Sequence, residues 1–188
     1  MTGDQVARIP SGGIRQLGPV NWALAKLAAR SVRAPEMHLF TALGYRQYLF
    51  WTWAIYSGRL LHGRLPRIDT ELVILRVAHL RSCEYELQHH RRMARAAGLD
   101  AQAQATIFAW PDAPQGDGPR RVLSSRQQAL LTATDELIKN RSVTPATWEQ
   151  LEIHLNRRRL IEFCLLATQY DALAATITAL GVPLDNPR

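Results

Sequence analysis

Apolar positions recur at three- and four-residue spacing from about residue 14 to residue 110, and again from Ser124 to Leu180. The intervening positions are rich in Ala, Leu, Arg and Gln, which favour helix. No segment sustains two-residue alternation and no Asn-Gly pair marks a hairpin, so the pattern predicts an all-α fold. Residues 1–13 carry Gly and Ser without periodicity and read as a mobile arm. The stretch 111–121, PDAPQGDGPRR, holds three prolines and two glycines and cannot continue a helix, so it reads as a loop. The organisation expected is one helical domain over 14–182 with a short tail at 183–188.

Several helix ends follow from side-chain chemistry. Asp69 reads as an N-cap, with Thr70 and Glu71 in the first turn, for a helix running to about Arg81. Ser82 then caps a second helix from Cys83 to about Ala97, closed by Gly98 and its apolar neighbour Leu99. Together they make a central helical hairpin. Further on, Thr144-Pro145 opens a helix, Asn156 marks a junction, and Gly181 with Pro183 ends the last helix.

Composition narrows the class. A chain of 188 residues with 47% apolar and 21% charged residues can build its own core. Two cysteines, Cys83 and Cys164, make no disulfide framework, and the start of the chain has no signal-peptide pattern, so a cytoplasmic setting is expected. The most apolar run, Tyr48–Tyr56, falls short of the roughly 20 residues of a spanning helix, so no membrane span is expected, and the run reads as core before subunit contact. Lys and Arg outnumber Asp and Glu by 23 to 16, a net charge of +7, which raises the question of nucleic acid. The arginines lie in short scattered groups without a nucleic-acid motif and read as solvated faces. A non-catalytic basic helical binding protein remains the alternative from another class.

The helix from Cys83 carries the chemistry. At 100° per residue, Cys83, Glu86, Leu87, His90, Ala94 and Ala97 share one arc of about 100°, while Glu84, Gln88, Arg91, Arg92 and Arg95 face the other way. His89 sits at the arc's edge. A carboxylate, an imidazole and a thiol on an apolar stripe need a partner or a task, because burying an unpaired carboxylate costs several kcal/mol or forces it to take up a proton. Glu86 and His90, four apart, can pair; the same spacing also suits a purely structural pair. If the chain reverses at Arg81–Ser82, Glu71 lies about 15 Å back and His90 about 12 Å forward, so the two are nearly level and an inward Glu71 can reach His90. His79, Cys83, Glu86 and His90 are ligand types, but a span of about 16 Å does not converge on one ion, so no metal is expected.

These residues resemble a known family. Glu71, Cys83, Glu86 and His90, in ELVILRVAHLRSCEYELQHHRRMARAAGL, look like the carboxymuconolactone decarboxylase and AhpD-like alkylhydroperoxidase family, and the similarity extends over about residues 35–185. The resemblance implies an all-helical fold, assembly as a trimer, hexamer or related homo-oligomer, and no cofactor. The AhpD branch uses Cys-x-x-Cys followed by His; here Glu86 stands at the second cysteine position, so no second thiol is there to resolve a sulfenic acid. Cys164, in the run IEFCLLA, reads as core. The decarboxylase branch has Glu and His four apart, as Glu86 and His90 are. That resemblance implies acid–base catalysis on a small organic acid, lactone or carbonyl compound, with His90 moving the proton, Glu71 orienting it, Glu86 as acid–base partner and Cys83 lining the pocket. Tyr85, His89 and Tyr170 are further pocket candidates. The alternative it leaves is a one-cysteine peroxidase working through Cys83.

Overall fold

A computed structural model of the chain describes residues 7–31, 34–113 and 122–186. Among them are nine helices and no strand: α1 Ile14–Ser31, α2 His38–Leu43, α3 Gln47–Leu61, α4 Arg67–Leu80, α5 Glu84–Ala96, α6 Ala101–Phe108, α7 Ser125–Asn140, α8 Pro145–His154 and α9 Arg157–Leu180. The all-α expectation holds. Contacts group the chain into two compact units, Met1–Gly58 with Ala175–Arg188, and Arg59–Ala174. Positions 1–6 of the expected arm and 114–121 of the expected loop fall outside the described residues.

In the first unit, residues 7–13 are tied down at Arg8, whose N–H donates to Leu180 O at 3.1 Å and whose guanidinium donates to Ala179 O at 3.0 Å. The end of the chain is tied as well: fully buried Asp185 accepts from the His38 N–H and faces His38 Nδ1, both at 2.8 Å. The aromatic run 48–56 is divided between core and surface by its helical period. Phe50 is buried and packs edge-on to Phe40 at 5.3 Å, with Trp53 beside both, whereas Tyr48 is 90% exposed and Leu49 and Ile55 are each 61% exposed. The reading of the whole run as core is therefore corrected.

The second unit is built around α4. Ten consecutive residues, Asp69 to Ala78, are buried, so over this stretch the helix has no solvent face. It packs against α5, α6 and α7. Its start differs from the expected one: Pro66 is the N-cap, and Asp69 lies inside the first turn. Proline has no N–H to lose at a helix start, and the Asp69 carboxylate is taken by Arg126 Nε at 2.9 Å instead of capping. Burial pushes the Asp69 carboxyl up, against the pull of Arg126.

The junction between α4 and α5 is tighter than the sequence suggested. Ser82 adopts a left-handed φ of 50°, its N–H donates to His79 O at 3.0 Å, and the Cys83 N–H donates to Ala78 O at 2.9 Å. This is a Schellman closure of α4. Ser82 is consumed in ending one helix and cannot cap the next, so Cys83 becomes the N-cap of α5, one residue later than expected. Gly98, at φ 105°, closes α5 in the same way, with Leu99 N–H on Ala94 O at 2.9 Å, as expected from Gly98-Leu99. Thr144 caps α8 with Pro145 at its first position, and Asn156 Oδ1 accepts from Arg159 N–H at 3.1 Å at the start of α9.

Two arginines lock α4 in place. Arg76 is 3% exposed; its Nε and Nη2 reach Asp135 at 2.5 and 2.7 Å, and it donates to the carbonyls of Ile107, Phe108 and Trp110 at 2.9, 3.1 and 2.8 Å. Arg81, at the hairpin turn, pairs with Asp171 of α9 and donates to Ile138 O at 2.9 Å. Helix α9 is long and apolar enough, by length and composition, to cross a membrane, contrary to the reading that no segment is. It buries Phe163, Leu166, Ala167, Tyr170, Leu173 and Ala174 within the second unit, the pattern of a core helix.

Candidate active site

Glu71 sits near the start of the buried run of α4 and has no exposed surface. A carboxylate there needs compensation, and the sequence supplies it one turn earlier on the same helix. Arg67 Nη2 lies 2.7 Å from Glu71 Oε1, an ion pair that falls short of hydrogen-bond alignment, while Arg67 Nη1 donates to Leu61 O at 2.6 Å. The other oxygen, Oε2, is 2.7 Å from Nδ1 of His90 on α5. Facing a carboxylate, Nδ1 is assigned the proton, which leaves Nε2 with the lone pair. The hairpin places these two groups level because the Schellman turn at Ser82 reverses the chain within three residues, Arg81 to Cys83.

Tyr170 of α9 packs its ring perpendicular to His90, centroids 5.2 Å apart at 87°. Its hydroxyl is pushed well above the usual phenol range by burial and then by the negative charges of Glu86 and Glu71, so it remains a phenol at neutral pH. The ring fixes one face of the imidazole.

Glu86 is 3% exposed, and its carboxyl lies against the Cys83 thiol with no cation beside it among the described residues. Burial pushes its pKa up to about 8, the Asp171 charge adds to the rise, and the neighbouring Cys83 thiol pulls the other way. Glu86 is therefore a neutral acid at pH 7. Cys83, also 3% exposed, stands at the N-terminus of α5; burial and then Glu86 push its thiol up to about 12, against the opposing effect of the Glu86 and Tyr85 backbone N–H groups. Cys83 is a thiol, not a thiolate. Two carboxyl groups of one site are thus in opposite settings, Glu71 beside a cation and Glu86 without one.

Glu71, Cys83, Glu86, His90 and Tyr170 all lie in the second unit, and all five are buried. The hydrogen bond expected between Glu86 and His90 is absent, because Glu71 occupies Nδ1 and Glu86 lies toward Cys83. Tyr85 and His89 are buried too, their rings edge-to-face at 5.2 Å, so the inward face of α5 is wider than the expected arc. Ala97, placed inside that arc, is only half-buried. His79 is exposed, its ring against Phe108 at 5.1 Å, and among the described residues no three ligand side chains are placed to hold a metal. Cys164 is half-buried on α9, and burial raises its thiol pKa as well. The sequence reading missed Arg67 and Asp171. An Arg-x-x-x-Glu spacing was the available signal for the first; the second depends on the packing of α9 against the hairpin turn.

The Glu86 setting has a measurable cost. A carboxyl whose folded pKa is raised from 4.5 to about 8 keeps its proton in the folded chain over a window where the unfolded chain has lost it. Stability therefore falls as pH rises from about 4.5 to 8 and is flat, in this contribution, above 8. By pH 7 the loss is roughly 3 kcal/mol. Glu86→Gln removes this dependence; urea unfolding at pH 5 and pH 7 should show a decline for the parent that the variant lacks. Parallel declines would place Glu86 in a far wetter setting.

Comparison with known proteins brings a family and a fold to this geometry. Residues 47–125 match the model of the carboxymuconolactone decarboxylase family. No curated protein matches the sequence. Among solved structures, the chain is similar to the alkylhydroperoxidase AhpD core of an uncharacterised peroxidase-related protein from Ralstonia eutropha, with 17% identity, a TM-score of 0.77, and coverage of 95% of this chain and 92% of that one. It is also similar to a protein of unknown function from Agrobacterium tumefaciens, provisionally named an antioxidant defence protein AhpD, with 16% identity, a TM-score of 0.65, and coverage of 74% of this chain and 92% of that one. At these identities the structures speak to fold alone. The segment that carries Glu71, Cys83, Glu86 and His90 is similar to the carboxymuconolactone decarboxylase family, and the chain around it has the AhpD-like fold.

Proposed function

We propose that this protein is a cofactor-independent acid–base enzyme of the decarboxylase-like kind, acting on a small organic acid, lactone or related carbonyl compound. The observation that carries the reading is the split between Glu71, paired with Arg67 and His90, and Glu86, buried beside the Cys83 thiol with no cation against it, its pKa pushed up to about 8 by burial. Divergent settings of two titratable groups separate base and acid roles. Nε2 of His90 takes a proton from the carbon beside a carbonyl, Glu71 holds the imidazolium that results, and the Glu86 O–H donates to the oxygen where negative charge collects. For a β-keto or vinylogous acid, Nε2 of His90 takes the proton of the substrate carboxyl instead: the carbon–carbon bond breaks, carbon dioxide leaves, the electron pair moves into the carbonyl system, and the imidazolium delivers that same proton to the carbon. Assay of γ-carboxymuconolactone-type substrates and simple enol lactones for carbon dioxide release and proton exchange tests the reading. No turnover and no exchange with any of them would sink it.

A one-cysteine peroxidase is the second reading, favoured by the position of Cys83 at a helix N-terminus and by the names of the two similar structures. Its discriminating test is thiol reactivity. With its pKa pushed up to about 12 and 3% exposure, Cys83 should resist iodoacetamide and peroxide in the folded protein at pH 7.5 and react only after unfolding. Mass spectrometry that finds folded Cys83 rapidly alkylated or sulfenylated would transfer the chemistry to sulfur. The remaining expectations stand as part of the proposal: a cytoplasmic enzyme without metal or nucleic-acid partner, assembled as a trimer, hexamer or related homo-oligomer. The exposed apolar side chains of α3, Tyr48, Leu49 and Ile55, support assembly, and sedimentation velocity reads it.

A further inference from the structure

We infer that Arg67 is a positioning residue that decides which nitrogen of His90 carries the proton, an inference that rests on the acid–base reading for its consequence but not for its geometry. The guanidinium is held at both ends of its fork. Nη1 is fixed by the carbonyl of Leu61, the last residue of α3, and Nη2 faces Glu71 Oε1 at 2.7 Å. Glu71 in turn has only one oxygen left for the imidazole, and Oε2 meets Nδ1 at 2.7 Å. The order Leu61 carbonyl, Arg67, Glu71, His90 is a chain in which each member limits the orientation of the next.

The chemistry makes Arg67 specific in this role. Glu71 is fully buried, and a carboxylate there holds its charge and its rotamer only beside a fixed cation. Lysine is a single point charge on a flexible stem and cannot bridge a carbonyl and a carboxylate with the same fixed geometry, whereas a guanidinium does so with two nitrogens of one plane. Without it, the Glu71 carboxyl is free to turn, and Nδ1 loses the fixed acceptor that holds its proton. His90 would then carry its proton on Nε2, where it has no lone pair for substrate. Arg67 itself is partly exposed, with 36% of its side chain open, so its replacement leaves no buried cavity.

The test reads the tautomer directly. Nitrogen-15 NMR of the full chain, with the His90 signals assigned by their loss in His90→Asn, should show the parent as the Nδ1–H form. Arg67→Met should move the population toward Nε2–H, Arg67→Lys should fall between, and added guanidinium ion should restore part of the parent pattern in Arg67→Met. Circular dichroism and urea unfolding confirm that the variants fold; should Arg67→Met fail to fold, Arg67→Lys with Arg67→Gln carries the comparison. A His90 tautomer unchanged in every folded variant overturns the inference. The NMR readout needs no substrate, so a tautomer shift without any turnover would count against the enzyme reading alone. With turnover, kcat should drop about 10- to 100-fold in Arg67→Met while KM changes little, the signature of a misplaced proton carrier.

Discussion

Arg76→Met should destabilise the protein by about 3 to 5 kcal/mol, the largest loss expected from a single substitution outside the site. The reason lies in how completely the guanidinium is used. Two nitrogens meet Asp135, and the remaining donors reach three carbonyls at and just beyond the end of α6. Methionine fills similar volume but leaves those carbonyls and one side of the Asp135 carboxylate without a donor in a place water reaches poorly. Lys139, 2.8 Å from Asp135 Oδ2 and half exposed, keeps part of the compensation. Against a total stability of about 5 to 15 kcal/mol, such a loss moves the urea midpoint far enough to read without ambiguity. Asp135→Asn should cost less, because the three carbonyls still face the cation. The double change Arg76→Met with Asp135→Leu should recover only a part, since the carbonyls remain unserved.

The pH dependence adds a check. Burial alone would raise the Asp135 carboxyl, but hydrogen bonds and charge from Arg76 and Lys139 outweigh it and the net shift is downward. A depressed carboxyl contributes stability that is present above its unfolded value and lost as pH falls through the folded one. The gap between parent and Arg76→Met should therefore narrow in acid. A variant within about 1 kcal/mol of the parent at pH 7 would mean that water already shares the guanidinium.

This cluster also marks what the sequence could and could not reveal. The all-helical class was legible because spacing and composition agree along the chain. Helix ends marked by one residue with one role were legible too: Gly98 and Pro145 act locally. Ser82 misled because two helices compete for it, and the closing of α4 wins. Asp69 misled because Arg126, 57 residues away, takes its carboxylate before the backbone can. The inward face of α5 was visible from a 100° period, and so was the level placement of Glu71 and His90. That Glu86 does not pair with His90 was not, because it depends on Glu71 reaching Nδ1 first, a contest between two helices that no spacing along one of them decides.

Glu86→Gln and His90→Asn should each lower kcat/KM about 10²- to 10⁴-fold on whichever lactone or carbonyl substrate turns over, while Cys83→Ser stays within a few-fold of the parent. Glutamine keeps the shape of Glu86 and can still donate a hydrogen bond, but it cannot give up a proton, so a full loss identifies proton transfer and a small one identifies hydrogen bonding alone. His90→Asn removes the base and leaves Glu71 Oε2 without its imidazole partner. The two groups act in the same step, His90 at carbon and Glu86 at oxygen, so the double variant should be little worse than the more damaging single one. The pH profile follows from the setting of Glu86: its acid form is present below a pKa of about 8, so kcat/KM should fall as pH rises through that value, and Glu86→Gln should lose this alkaline limb. The opposite outcome, Cys83→Ser inactive with Glu86→Gln unimpaired, would assign the reaction to the thiol. Because Glu86→Gln is also expected to relieve the stability cost of a buried acid near neutral pH, an inactive but fully folded variant is the result that connects the strained carboxyl to catalysis.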